Sequence, residues 1–273
     1  MKTVPELFNE LYINGFAIME DAIPSSTIDR IHSSFMPMLE HVRDREHELR
    51  DDESGDIRVG CGRQQNPNRY TMQWPWEGGL ACPEIAENPT LLALLEAYWE
   101  TDDFVVTCLH SNTPYPGSTY QNWHRDAKAM STRQATDRIP HFGVKFPLVD
   151  TNVENGSFEV LPSTQLLADP PPFGDEYNDI LESGSFPHLT RLNMKCGTLW
   201  VQDVRTLHRG TPNRSDGPRP ELVINFSQAW AAPLLTNRPG KNFCIGTREF
   251  EELSERGRKL FKEATILPDR AAA

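Results

Sequence analysis

The sequence predicts a mainly β protein with flanking helices, its strands closing into a sandwich or barrel. Three observations carry this. Up to about residue 103, apolar residues recur at helical spacing. Beyond it, short apolar runs alternate with Pro, Gly, Asn and Asp turns. The third is length, since 273 residues fit one large domain with elaborations. The expected organisation is a helical N-terminal elaboration over about 1–102, a β-core over about 103–230 and a C-terminal extension over 231–273.

Spacing and caps predict the elements in turn. Val4, Leu7, Phe8 and Leu11 lie at helical intervals, and Asn14-Gly15 stops them. Gly15 to Met19 reads as a short strand. Pro24-Ser25-Ser26 caps a second helix with Ile28, Ile31, Phe35 and Leu39 on one face. The charge-dense run His41 to Asp52 reads as its solvated end and a loop. Residues 53–87, rich in Gly, Pro, Arg and Trp, are expected to be irregular. Asn88-Pro89-Thr90 opens a helix through Leu91, Leu92, Leu94, Leu95 and Tyr98. The expected strands are 104–109, 142–149, 157–161, 198–202 and 222–226, followed by a helical tail with Phe250, Leu253, Leu260 and Phe261.

A formal net charge of −12 argues against nucleic acid or an anionic membrane as partner, because both recruit a surplus of Lys and Arg. The five cysteines (Cys61, Cys82, Cys108, Cys196, Cys244) form no CxxC pair and fit a reducing compartment better than a disulfide framework. Met1-Lys2-Thr3-Val4-Pro5 leads into an amphipathic segment, and no run approaches the roughly 18 apolar residues of a membrane span. The expectation is a cytoplasmic protein acting on a small molecule, with a homo-oligomer left open.

The chemistry concentrates in Gln121-Asn122-Trp123-His124-Arg125-Asp126 and in Thr206-Leu207-His208-Arg209-Gly210. Two imidazoles and a carboxylate are the ligand set of a facial triad, whose open positions suit non-haem Fe(II) and oxygen. Residues i and i+2 of a strand share a face, so His124 and Asp126 are expected on one strand with Arg125 turned away. His208 follows the run Gly197 to Asp203, and a jelly roll brings such distant strands together. Arg219 lies eleven positions beyond His208. It is expected near His208 if Pro212 to Pro218 folds back as a hairpin. Its planar fork suits a carboxylate held by two parallel hydrogen bonds. A lone His-x-Asp is more often a structural histidine beside a turn residue; the set of four carries the metal reading.

Trp123-His124-Arg125-Asp126, Asn155-Gly156-Ser157-Phe158-Glu159-Val160-Leu161-Pro162-Ser163 and the stretch Gly197 through Arg219 resemble the phytanoyl-CoA dioxygenase-like family of Fe(II)/2-oxoglutarate oxygenases. The resemblance covers roughly residues 104–230. It implies a double-stranded β-helix core of jelly-roll, cupin-like type. It also implies Fe(II) on His124, Asp126 and His208, with Arg219 on the C5 carboxylate of 2-oxoglutarate. The implied reaction consumes O2, releases succinate and CO2, and hydroxylates, desaturates or similarly oxidises a small metabolite, with ascorbate as an auxiliary reductant. Asp126 fills the position that halogenating relatives leave small, which turns the expectation away from halogenation. Pro162-Ser163-Thr164-Gln165 departs from the Pro-Gly-Ser-His of many members.

Gln121, Asn122 and Asn112 are candidates for hydrogen bonds to 2-oxoglutarate or substrate. On the substrate side stand Arg58, Arg63, Arg69, Tyr70, Trp74 and Trp76, with structural cover of the barrel mouth as the competing reading. Lys145, between Val144 and Phe146, is expected to point outward by strand alternation, or else to line the cavity near 2-oxoglutarate. His110 belongs to the strand leading toward His124. Two other functions stay open on the residues alone: a jelly-roll binding protein without turnover, and a zinc hydrolase on the same ligands, which has no use for Arg219.

Overall fold

The computed structural model describes residues 2–44, 62–126, 138–166, 188–233 and 244–268. Arg58 and Cys61, and the side chain of Arg63, lie outside the described residues. Helix α1 (Val4–Asn14) buries Leu7 and Leu11. It stops at Gly15, whose φ of 82° suits glycine and whose missing Cβ admits the Thr206 hydroxyl and the Gln165 amide. Strand β1 (Phe16–Met19) follows. Helix α2 (Ser25–Asp44) buries the predicted stripe of Ile28, Ile31, Phe35 and Leu39. After strands β2 (Gly62–Asn66) and β3 (Arg69–Met72) come a short helix α3 (Pro83–Ala86) and helix α4 (Pro89–Trp99). Asn88 caps α4 by accepting from the Thr90 and Leu91 amides at 3.1 Å.

The remaining strands are β4 (Phe104–Pro114), β5 (His141–Pro147), β6 (Glu159–Val160), β7 (Thr190–Arg191), β8 (Leu199–Asp203), β9 (His208–Arg209), β10 (Glu221–Gln228), β11 (Cys244–Gly246) and β12 (Thr265–Leu267). Seven antiparallel strands form the main sheet in the order β1-β8-β5-β10-β4-β3-β2. A smaller antiparallel sheet, β7-β6-β9, faces it, so the core is a jelly roll. Strands β11 and β12 form a separate parallel pair beside helices Thr247–Glu252 and Glu255–Leu260.

Register sorts the side chains of the main sheet. One transverse row runs Trp200, Lys145, Val223, His110 and reaches Gln73 just past β3. The next runs Gln202, Gly143, Asn225 and Cys108, and a third pairs Glu221 with Asn112. These rows look toward the smaller sheet. The alternate residues Leu109, Val144, Phe146, Val201, Leu222, Ile224 and Phe226 face the helices and are wholly buried in the main hydrophobic core. Burial of each such side chain stabilises the fold by about 1.5–3 kcal/mol.

Where irregular chain was expected within 53–87, residues 62–72 form the β2–β3 hairpin at one edge of the main sheet. Its strand Gly62-Arg63-Gln64-Gln65-Asn66 has no apolar alternation, because it is an edge strand without a core face of its own. With β1 at the other edge, the N-terminal third contributes strands to both sides. Among the described residues, no helix is long and apolar enough to cross a membrane, and the four described cysteines are free thiols.

Candidate active site

His124 and Asp126 sit in a loop; the strand expected for them is reduced to one bridge. His124 and His208 exchange both backbone hydrogen bonds, each at 3.1 Å. The Asp126 N–H donates to the Val204 carbonyl at 2.8 Å. The loop is therefore pinned by β9 and by the turn between β8 and β9, and a longer ladder is not needed to aim its side chains. Arg125 does turn away, donating to the Thr164 carbonyl at 2.9 Å.

One Asp126 oxygen lies 3.6 Å from His124 Nε2, and the other lies 3.6 Å from His208 Nε2. The imidazole centroids are 4.4 Å apart, and the three residues offer ligand atoms within 4.8 Å of one another. Each Nδ1 is held from behind: His124 by the Asn122 carbonyl at 2.8 Å, His208 by the Thr206 carbonyl at 2.9 Å. A carbonyl only accepts, so Nδ1 carries the proton and Nε2 keeps its lone pair for an ion. The Gln202 side-chain amide lies 2.8 Å from the same Nδ1, and a protonated Nδ1 requires that amide to present its oxygen there. Burial pushes His208 down to about 3 despite the pull of Asp126, so the ring is neutral at neutral pH. Burial would raise the Asp126 carboxyl, but His208, Lys145, His124 and His110 outweigh it and hold the group well below the usual carboxylate range. A neutral imidazole and an ionised carboxylate are the forms that bind a divalent ion.

Arg219 is fully buried, and its three guanidinium nitrogens have no hydrogen-bond partner among the described residues. Glu221 lies 3.6 Å away and the Phe158 ring 4.9 Å from the guanidinium carbon. An idle buried guanidinium is costly, and a carboxylate that took its fork would remove that cost. Arg69, also fully buried, donates to Asn112 Oδ1 at 3.1 Å and to the Thr119 and Thr211 carbonyls at 3.2 and 2.8 Å. Burial and then the nearby Arg219 charge lower its pKa. Both arginines remain protonated, so this end of the interior is strongly electropositive. Burial raises the Glu221 carboxyl, with Arg219, Lys145, the Trp200 N–H and Arg69 pulling the other way.

The expected hairpin between His208 and Arg219 is not formed. The intervening chain crosses from β9 in the small sheet to β10 in the main one, and the two residues meet the interior from opposite sheets. Lys145 does not point outward. Its Nζ is 3.6 Å from Asp126, 4.7 Å from the Trp200 ring centre and 5.4 Å from that of Phe158. The outward expectation fails because the outer face of this sheet is the hydrophobic core and the inner face is polar.

Tyr70 and Trp74 lie in the helix-side core and do not reach the triad. Tyr70 packs edge-on against Tyr115, and Trp74 stacks on Trp76 while donating to the His110 carbonyl at 2.9 Å. Gln121 accepts from the Gly210 N–H at 2.9 Å and donates to Gln65 at 3.3 Å, tying the His124 loop to the chain after His208. Asn112 and His110 do face the interior. Sequence reasoning missed Gln202 and Glu221. The available signal was a polar residue at each of two positions in otherwise apolar strands.

The chain matches the family model described as phytanoyl-CoA dioxygenase (PhyH) over residues 11–220. Among solved structures, AviO1 from Streptomyces viridochromogenes Tue57 is 19% identical, with a TM-score of 0.59 over 83% of this chain and 96% of that one. The epimerase SnoN, solved with Fe3+, α-ketoglutarate and nogalamycin RO, is 17% identical, with a TM-score of 0.57 over 83% and 84%. HygX from Streptomyces hygroscopicus, solved with nickel, 2-oxoglutarate and hygromycin B, is 14% identical, with a TM-score of 0.57 over 82% and 87%. These structures share the fold. The family match takes in His124, Asp126, His208 and Arg219, and by it the protein belongs to the phytanoyl-CoA dioxygenase family and is a non-haem Fe(II)/2-oxoglutarate-dependent enzyme.

Proposed function

We propose that the protein couples oxidative decarboxylation of 2-oxoglutarate to oxidation of a small-molecule metabolite. In this reading His124, Asp126 and His208 hold Fe(II), and Arg219 holds the C5 carboxylate of the co-substrate. The carrying observation is a metal-ready triad in the same interior as a buried guanidinium without hydrogen-bond partners among the described residues. Bound Fe(II) and 2-oxoglutarate supply activation of O2, with succinate and CO2 as co-products.

The chain's own contribution is placement. The Asn122 and Thr206 carbonyls fix both imidazoles by accepting their Nδ1 protons. The Arg219 fork takes a carboxylate by two parallel hydrogen bonds, and Arg69 adds a second positive charge nearby. Lys145 restrains the Asp126 oxygen that faces it. SnoN and HygX were solved with small molecules, and a small-molecule substrate is the reading adopted for this chain. A zinc hydrolase on the same ligands leaves Arg219 without a role.

Anaerobic calorimetry with the Mn(II)-loaded protein tests the cradle. 2-Oxoglutarate binds the parent protein, and Arg219→Leu weakens it by about 100-fold or more, because the dianion then meets a pocket lacking its fork. Equal affinity in the two proteins overturns the assignment of Arg219.

A further inference from the structure

The polar interior face extends past the triad toward the β3 edge. Lys145, Val223, His110 and Gln73 lie in one transverse row, and Asn225 and Cys108 in the next. At about 4.8 Å per strand, the row from Lys145 to Gln73 runs roughly 14 Å away from the flank of the metal ligands. Thr71, Gln73, Cys108, His110 and Asn225 are all half-buried, whereas their alternating neighbours Met72, Trp74, Leu109 and Phe226 are buried. This wall is open where the other face of the same strands is closed. His110 links the wall to the triad, since it lies near enough to Asp126 to influence that carboxyl.

Three of the half-buried side chains of the wall, Thr71, Gln73 and Asn225, are neutral hydrogen-bonding groups. The half-buried side-chain amides of Gln73 and Asn225 make no hydrogen bond to the described residues, so each has two donors and an acceptor left for a ligand. The Thr71 hydroxyl donates to the Ser111 carbonyl at 2.6 Å, which leaves its oxygen to accept. None of these half-buried positions carries an acidic or basic aliphatic side chain. Arg69, Lys145 and Glu221 on the same face are buried and turned toward one another and the triad. A cationic ligand would be desolvated here without a counter-charge, and the neighbouring buried cations are already engaged, Lys145 by Asp126 and Arg69 by Asn112, Thr119 and Thr211. A hydrocarbon would strand both amides.

We propose that Thr71, Gln73, His110 and Asn225 form the substrate face, and that it takes a neutral, hydroxyl-rich molecule such as a sugar ring or polyol. The inference rests on the Fe(II)/2-oxoglutarate reading of the triad and Arg219. A hydroxyl both donates and accepts, which is what an amide pair can satisfy. A wall built to bond hydroxyls discriminates strongly against analogues that lack them.

Saturation-transfer NMR on the Zn(II)- and 2-oxoglutarate-loaded protein provides the test. The probes are a panel of neutral methyl hexosides and disaccharides, set against dodecanoate and dodecylamine. Ring protons of a glycoside receive saturation, and Asn225→Leu and Gln73→Leu each weaken that glycoside by about tenfold. Both variants keep the 2-oxoglutarate affinity of the parent, which also reports that they are folded. Should Asn225→Leu fail to fold, Gln73→Leu at the sheet edge carries the test alone. The inference is overturned if no glycoside binds, if dodecanoate or dodecylamine binds better, or if neither variant alters glycoside binding. Parent protein that binds 2-oxoglutarate but no glycoside loses only the substrate class. Parent protein that fails to bind 2-oxoglutarate removes the site reading and this inference with it.

Discussion

The two faces of the main sheet carry opposite chemistries on the same strands. One step along β5, from Val144 to Lys145, leads from the hydrophobic core to the metal ligands. In β10 the step from Glu221 to Leu222 does the same. The outer face holds fully buried apolar side chains against helices. The inner face collects groups that are costly to bury, including the Arg219 nitrogens, Glu221 Oε1 and Arg69 Nε, none with a hydrogen-bond partner among the described residues. Packing outside the barrel thus stabilises a barrel whose inside is kept polar and unsatisfied for a ligand. Stability and chemistry are separated by face, although both sit in one sheet.

That separation can be broken experimentally. His124→Ala removes a metal ligand whose side chain is about one-third exposed. Substrate-coupled succinate formation should fall below detection with little change in melting temperature; product formation at the parent rate would remove the triad assignment. Phe226→Ala on the outer face should lose about 3–5 kcal/mol of stability in urea melts. Its 2-oxoglutarate affinity should be unchanged wherever the protein is folded, and a coupled loss of affinity would dissolve the distinction between faces. The double variant Arg219→Leu/Glu221→Gln should do the reverse, raising the stability of the metal-free protein by about 1–4 kcal/mol while abolishing 2-oxoglutarate binding. A destabilised double variant would mean that this buried pair is structural.

The smallest effect is a pH dependence. His208 has a pKa of about 3 in the fold against 6.5 for an unperturbed ring. Between those values the unfolded chain binds the proton and the native ring does not. The metal-free protein should therefore lose stability as pH falls below about 6.5, by at most about 1.4 kcal/mol per unit from this group. Above that pH the ring contributes no slope. His208→Asn should flatten the profile between pH 7 and 5, and an equally steep profile would show that the slope belongs to other groups.

Much of this was legible in the sequence because the signals were local. Asn88 announced a helix cap, Gly15 a stop, and the stripe Ile28, Ile31, Phe35 and Leu39 a buried face. His124, Asp126 and His208 also stood out as a ligand set, and the fold brings their ligand atoms within 4.8 Å of one another. What failed needed the third dimension. Lys145 was expected outside because apolar-in, polar-out is the ordinary sense of alternation, and this sheet runs it backwards. Trp74 was a substrate-side candidate because it lies in the segment expected to be irregular, yet the chain turns it into the helix-side core. Gln202 and Glu221 acquire their meaning only from His208 and Arg219, which other strands bring to them.

The reciprocal backbone pair between His124 and His208 has a consequence for how the protein comes into being. A chain emerging from synthesis offers one imidazole and one carboxylate long before the second imidazole and its supports, Gln202 and Thr206, appear. Two donors on a loop grip a divalent ion weakly. Tight capture must therefore wait until β9 has docked and the barrel has closed around it. Later loss of the ion leaves a backbone already latched in the shape that will take the next one.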